Sequence, residues 1–124
     1  MSEGGLFRRV DAVSVPVDDL EAGLRFYRDA LGHRIIWRND EVGQVGLELP
    51  DGDSELVLTT RQRYEPNWLV DRVEDAVDLV IRHGGDLVAA PFDIPVGRAA
   101  VVRDPFGNVL VLVDLTRGRY GPAC

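Results

Sequence analysis

Short runs of alternating apolar and polar residues are interrupted by two stretches with helical periodicity. The alternation predicts strands over residues 7–15, 33–38, 42–49 and 55–60, and again over 67–70, 86–90, 98–103 and 109–115. Between the first two strands, an apolar stripe predicts a helix from Asp19 to about Leu31, carried by Leu20, Leu24, Tyr27 and Leu31. A second stripe predicts a helix that ends at His83-Gly84-Gly85, carried by Val73, Ala76, Val77, Val80 and Ile81. The predicted order is therefore β-α-β-β-β, twice.

A short motif marks both helix starts. Val17-Asp18-Asp19-Leu20-Glu21 returns 53 residues later, from position 17 to position 70, as Val70-Asp71-Arg72-Val73-Glu74. In each copy an Asp stands three residues before a Glu, which is the spacing of a helix capping box. We therefore predict an α+β fold in one domain, with a unit at about 7–60 and a second at about 66–115. Since each helix covers only one face of its sheet, we expect a curved mixed sheet with a central cavity.

Composition and charge exclude several classes of partner. The 124 residues carry a formal net charge of −7, which argues against nucleic acid and against an anionic membrane surface. The single cysteine, Cys124, excludes an intrachain disulfide. No apolar run approaches membrane-spanning length and the start of the sequence has no signal-peptide pattern, so we expect a cytoplasmic protein.

Two sequence motifs, together with the repeat, resemble the vicinal oxygen chelate superfamily. They are VPVDDLEAGLRFYRDALG at 15–32 and DPFGN at 104–108, and the resemblance runs from about Val10 to Leu115. That superfamily includes glyoxalase I, extradiol dioxygenases, methylmalonyl-CoA epimerase, and the fosfomycin- and bleomycin-resistance proteins. The resemblance implies the paired-unit fold, and a divalent metal held by His, Glu or Gln from the first and fourth strands of each unit. It does not select one function, because many chemistries use this scaffold.

The metal positions implied by the resemblance fall on Ala12, Val57, Glu65 and Val111. Alanine and valine cannot bind a metal, and one glutamate is a poor site. We therefore predict no metal and no cofactor. The resemblance then points to the metal-free members, such as bleomycin-binding proteins, which hold a ligand without transforming it.

Alternation also suggests which side chains face away from the helices and line a ligand site. The predicted ligand-binding residues are Ser14, Trp37, Glu48, Glu55, Val57, Thr59, Asn67, Phe92, Arg103 and Val111. The side on which Trp37 lies is left open because Ile35 and Ile36 are both apolar. Phe92 falls in a predicted loop, 91–97, and is a candidate lid, whereas Trp68 has the parity of a core residue. Core or interface packing is an alternative for Trp37 and Phe92.

The charged candidates have simpler alternatives. Glu48 and Glu55 could be solvated at the rim of the sheet, with Glu65 in a connector, and Arg98 and Arg103 could form internal ion pairs with glutamates. His33 and His83 follow the predicted helices and are interpreted as C-terminal caps.

Three functions remain open at this stage. The preferred one is a metal-free protein that binds or sequesters a small molecule. The alternative is a lyase, epimerase, isomerase or dioxygenase-like enzyme acting on a small carbonyl substrate, with Glu65, Glu48 or Glu55 as the base. The third is a dimerisation or regulatory module with a vestigial cavity. A homodimer is expected in each case, because a single pair of units buries its sheet faces poorly.

Overall fold

The computed structural model describes residues 4–118, and their elements follow the predicted order. Within that range the chain forms β1 (Arg9–Pro16), α1 (Leu20–Leu24) continued by a π-helical segment (Arg25–Ala30), β2 (Ile35–Asn39), β3 (Gln44–Glu48), β4 (Glu55–Thr59), β5 (Glu65–Leu69), α2 (Val73–Arg82), β6 (Asp86–Ile94), β7 (Gly97–Arg103) and β8 (Val109–Val113). The predicted α+β class with two β-α-β-β-β repeats is confirmed. Cys124 lies outside the described residues.

The described chain divides into two compact units. The first unit comprises residues 11–66, and the second comprises residues 67–118 together with the N-terminal residues 4–10. No helix among residues 4–118 has the length and apolar character needed to span a membrane.

In the first unit the strands are ordered β2-β3-β4-β1. β1 runs parallel to β4, and the other two pairings are antiparallel. The helix covers one face of this sheet, and the core consists of Leu20, Leu24, Val45, Leu47 and Leu58, with Tyr27 packed against it. Burying a side chain of this size contributes about 2 kcal/mol, so this cluster is what attaches the short helix to its sheet.

The predicted helix over 19–31 differs from the structure in its second half. Leu31 N–H donates to Phe26 O at 3.0 Å, an i→i+5 bond typical of a π-helix. This wider turn shifts the register of the residues that follow it. Leu31 is consequently 52% exposed, whereas Leu20, Leu24 and Tyr27 pack as the stripe predicts.

In the second unit the order is β5-β8-β7-β6, with β5 parallel to β8. Helix α2 packs Val73, Ala76 and Val77 against β7 and β8. The N-terminal segment joins this core through Leu6, and Phe7 stacks on Trp68 with ring centroids 5.0 Å apart. The expected core position of Trp68 is therefore confirmed.

Strand β6 is longer than predicted. It continues through the predicted loop as far as Ile94, and Phe92 pairs with Ala99 of β7. Phe92 is thus part of a strand, and the prediction of a lid loop there is wrong. Two irregularities in the β6–β7 register and the position of β6 at the end of its unit's strand order allow Pro91 to lie inside the strand.

The helix starts lie close to the predicted positions, but their caps differ from the predicted capping boxes. Asp19, rather than Asp18, caps α1, and its Oδ1 accepts from Ala22 N–H at 2.7 Å. Within residues 4–118, Arg72 occupies the corresponding position before α2 without a side-chain capping bond. There the first helical N–H, that of Val73, donates to Oδ2 of Asp114 at 2.9 Å.

Candidate functional site on the first unit

Strand register shows which side chains of the first unit share the face opposite α1. Gly46 pairs with Val57, which in turn pairs with Ser14, and one row along the sheet Gln44 pairs with Thr59. Their neighbours Leu47 and Leu58 belong to the core under α1. Because side chains alternate along a strand, the first set points the other way. We call this surface the polar face; it contains Ser14, Trp37, Gln44, Gly46, Glu55, Val57 and Thr59.

The side on which Trp37 lies is decided by an irregularity in β2. Ile35 pairs with Leu47, but Trp37 pairs with Gly46, so the register shifts at Ile36. The indole is therefore on the polar face, where its Nε1–H donates to Glu55 Oε1 at 2.7 Å. A Cβ on residue 46 would overlap Nε1 of the indole, so the glycine provides the space that the ring occupies. Apolar runs in the sequence contain no signal for such a shift.

A cluster of neutral polar side chains lies beside Trp37 on the polar face. Oε1 of Gln62 accepts from Ser14 Oγ at 3.4 Å and from Gln44 Nε2 at 3.2 Å. Thr59 Oγ1 accepts from the N–H groups of Arg61 and Gln62, each at 3.2 Å, and thereby holds the start of the connector. Sequence reasoning missed Gln62 because it lies outside every strand. A threonine at a strand end, able to bond the next two backbone N–H groups, was the available signal.

The three predicted carboxylates have separate environments. Glu48 binds the guanidinium of Arg34, with Oε1 3.0 Å from Nη2, and Glu55 accepts from Trp37. Glu48 and Glu55 are register partners on β3 and β4. Glu65 is the half-buried first residue of β5.

The candidate residues of the second unit pair with or bind other residues of the same unit. Asn67 pairs with Val111 across β5 and β8, which places both on the face opposite α2. Phe92 pairs with Ala99, and Arg103 binds Asp86 with 3.3 Å between Nη2 and Oδ2.

The other candidates of the two units also have structural contacts. Arg98 contacts Glu74 at 3.0 Å and Asp93 at 3.4 Å. Both Arg98 and Arg103 therefore form ion pairs, but with partners other than the candidate glutamates Glu48, Glu55 and Glu65. His83 ends α2 as predicted, whereas His33 lies beyond its helix, with Nδ1 3.1 Å from Glu48 O.

Comparison with protein-family models assigns the chain to a known superfamily. The model of the Glyoxalase/Bleomycin resistance protein/Dioxygenase superfamily matches residues 9–112. The chain belongs to this superfamily. No match was found among curated proteins.

Solved structures agree with this assignment. Methylmalonyl-CoA epimerase from Mycobacterium tuberculosis is similar with a TM-score of 0.70 and 19% identity, over 92% of either chain. The Streptomyces coelicolor epimerase in complex with 2-nitronate-propionyl-CoA gives 0.69 and 20%, over 92% of this chain and 99% of that one. A hypothetical protein from Bacillus halodurans gives 0.71 and 15%, over 91% and 98%. At these identities the likeness is one of fold.

The metal centre implied by the superfamily can be tested against the donor atoms present. Ala12 is 2% exposed and Val57 is 5% exposed, and neither side chain has a donor atom. Val111 in the second unit likewise has none, which leaves Glu65 as the single donor. Among residues 4–118 there is no group of three or more His, Cys, Asp or Glu side chains placed to hold an ion. The residues at these positions do not fit a divalent centre of the superfamily type.

Proposed function

We propose that the protein is a metal-independent small-molecule binding protein of the glyoxalase/bleomycin-resistance type. The observation that carries the proposal is that Ala12, the register partner of Glu55 on the polar face, and Val57 are buried hydrocarbon side chains. They stand at two of the positions where the resemblance implies metal ligands. A ligand on this face meets protein groups directly, with no ion to bind its oxygens. Affinity then depends on hydrogen bonds and apolar contact.

The polar face has the groups that such binding needs. Trp37 supplies a large, rigid ring whose position is set by Gly46 and Glu55. Gln44 and Gln62 supply neutral hydrogen-bonding groups; Gln62 is exposed and Gln44 is half-buried. Val57 and Ser14 lie buried between them and form an apolar base with one hydroxyl.

The test combines metal analysis with a ligand screen. We expect mass spectrometry of the purified protein to find no stoichiometric transition metal. Thermal-shift screening followed by calorimetry should find small aromatic ligands whose affinity is unchanged by a chelator and reduced in Trp37→Ala. A stoichiometric metal, or binding that a chelator abolishes, would contradict the proposal. Trp68→Phe, in the core of the second unit, is the matched control and should retain binding.

A second candidate is an isomerase that moves a proton on a small carbonyl compound. It is favoured by the similarity to methylmalonyl-CoA epimerases, and its base would be Glu55, whose carboxylate already accepts the Trp37 N–H. Incubating candidate acyl thioesters in D2O and following the α-proton by NMR would detect such an activity. Exchange that is lost in Glu55→Gln would support the enzyme over the binding protein, and its absence would leave the binding protein.

The quaternary structure is part of the proposal. We propose that two chains form a homodimer and that the protein acts in the cytoplasm. Light scattering at micromolar concentration should give twice the 13.7 kDa mass of the chain. A monomer mass would contradict the dimer while leaving the ligand-binding proposal intact.

A further inference from the structure

The two glutamines on the polar face form a pair with unused hydrogen-bonding capacity. Gln44 donates through Nε2 to Oε1 of Gln62. Among the contacts of residues 4–118, the side chain of Gln62 is engaged through Oε1 and that of Gln44 through Nε2. Oε1 of Gln44 therefore remains an acceptor, and Nε2 of Gln62 remains a donor. If both amides are flipped the pair still offers one donor and one acceptor, so this property does not depend on how the amide atoms are assigned.

The donor and acceptor lie next to an aromatic wall of fixed position. Gln44 is two residues from Gly46 on β3, a separation of about 7 Å along the strand, and the Trp37 ring covers Gly46. The Trp37 N–H is already bonded to Glu55, so the indole offers a ligand mainly apolar contact. This separation is short enough for one small planar ring to contact both the indole and the amide of Gln44.

Charge narrows the class of ligand. The side chains of Ser14, Gln44, Thr59 and Gln62 are uncharged, and the indole of Trp37 donates to the carboxylate of Glu55. A charged ligand would lose hydration at the two glutamines without gaining an ion pair from them. A neutral ring meets no such penalty.

We propose that Trp37, Gln44 and Gln62 bind a planar, uncharged heterocycle that carries a ring N–H adjacent to a C=O, as lactams, cyclic imides and ureides do. The ring N–H donates to Oε1 of Gln44, the carbonyl accepts from Nε2 of Gln62, and the ring lies against the indole. This inference specifies the ligand class for the binding function proposed above and rests on it.

The experiment uses uracil as the probe, with N,N′-dimethyluracil, in which both N–H groups are blocked, and benzoate as comparison compounds. Binding to the full chain is measured by saturation-transfer NMR and by titration of chemical shifts in ¹⁵N-labelled protein. We expect uracil to bind and to shift the side-chain amide signals of Gln44 and Gln62. The dimethylated compound and benzoate should bind at least tenfold more weakly, the loss expected for one or two net hydrogen bonds.

Two variants test the assigned roles. Gln62→Glu keeps an oxygen for the Gln44 N–H but removes the donor, so uracil affinity should fall about tenfold or more. Gly46→Ala forces the indole from its place and should weaken uracil and the dimethylated compound alike. Arg63→Ala, an exposed substitution next to Gln62, is the matched control and should leave binding unchanged.

Equal binding of uracil and its dimethylated analogue, or an unaffected Gln62→Glu variant, would overturn the inference. Absence of uracil binding while other compounds bind without metal would also overturn it, yet would leave the proposed function standing. A stoichiometric metal would instead refute the proposed function.

Discussion

The two units begin their helices with carboxylates taken from opposite ends of the unit. In the first, Asp19 lies directly before α1 and caps it. In the second, the corresponding residue is Arg72, and the first N–H of α2 is bonded by Asp114, which follows β8. In the first unit the position equivalent to Asp114 is occupied by Thr60. The equivalence follows from two matching backbone bonds: Val17 N–H donates to Thr59 O, and Val70 N–H donates to Val113 O. Each helix start therefore has a carboxylate that accepts from its N–H groups, but the carboxylate comes from a different position of the repeat in each unit.

The two carboxylates differ in how much structure each one joins. Asp19 bonds one backbone N–H at an exposed position. Asp114 is 0% exposed and accepts from the backbone N–H groups of Val73, Arg98 and Thr116 and from the Thr116 hydroxyl. It thus joins α2, β7 and the end of β8. A buried acceptor with several donors is expected to matter more than an exposed cap.

The largest effect should come from Asp114→Asn. The amide nitrogen cannot accept, so at least one buried donor loses its partner and the charge-assisted bonds are lost. We expect the free energy of unfolding to fall by about 3 kcal/mol, measured by urea denaturation. Asp71→Asn is the matched control in the same unit: that side chain is exposed and 3.8 Å from Arg8, so we expect a change within about 0.5 kcal/mol. Equal losses of stability in both variants would show that the buried Asp114 matters no more than an exposed carboxylate.

Acid should reduce the difference in stability between the wild-type protein and Asp114→Asn. Burial raises the pKa of Asp114, but hydrogen bonds from Val73, Thr116 and Arg98 together outweigh it, and the net pKa lies below the ordinary value of 3.8. A carboxyl with a depressed folded-state pKa stabilises the protein above its unfolded-state pKa, and this contribution is lost as pH falls through the folded-state value. The stability gap between wild type and Asp114→Asn should therefore be full near neutrality and shrink below about pH 4. Urea titrations at stepped pH measure it, and a gap that widens on acidification would contradict the assignment.

A glycine lies against each of these two equivalent residues: Gly43 against Thr60 in the first unit, and Gly97 against Asp114 in the second. A Cβ on Gly97 would overlap both the backbone O and the Oδ1 of Asp114, whereas a Cβ on Gly43 would meet the Thr60 hydroxyl, which can rotate away. We expect Gly97→Ala to cost about 2 kcal/mol through overpacking. Gly43 has φ of +68°, and Gly43→Ala should cost about 1 kcal/mol for the left-handed backbone. Urea denaturation of both variants should show this order, and the reverse order would indicate that Asp114 moves readily.

The smallest effect concerns the local cap. Asp19→Ala removes one exposed capping bond and should lower the free energy of unfolding by about 1 kcal/mol. Asp18→Ala is the control, with an expected change within about 0.5 kcal/mol because Asp18 is not the capping residue. A larger loss at Asp18 than at Asp19 would restore the cap that motif spacing predicts.

The spacing of apolar residues predicted the helices and strands, because each buried position of an element requires an apolar side chain. Leu20, Leu24, Val73, Ala76 and Val77 are buried as predicted, and the strands follow the alternation. The last residues of the two predicted stripes, Leu31 and Ile81, are instead exposed. The cap of α2 was not predictable in this way. Asp114 reaches Val73 across 41 residues, and local spacing carries no information on such a bond.

The candidate site was predicted only in part, for a similar reason. Ser14, Val57 and Thr59 follow from strand parity. Trp37 required the irregularity at Ile36, and Gln62 required the turn after Thr59. Both depend on how neighbouring strands pair, which becomes visible only when the sheet is assembled. Ligand binding at these residues stays a prediction.

Residues 6–8 give the order of synthesis a particular significance. Leu6 and Phe7 pack with the core and the Trp68 ring of the second unit, and Arg8 N–H donates to Leu69 O at 2.7 Å. On the ribosome these residues emerge before their partners, which are made some sixty residues later, about the length from Arg8 to Leu69. Residues 6–8 therefore cannot make these contacts until residues 11–66 have been synthesised. A tag fused ahead of Leu6 would accordingly disturb the portion of the protein that is translated last.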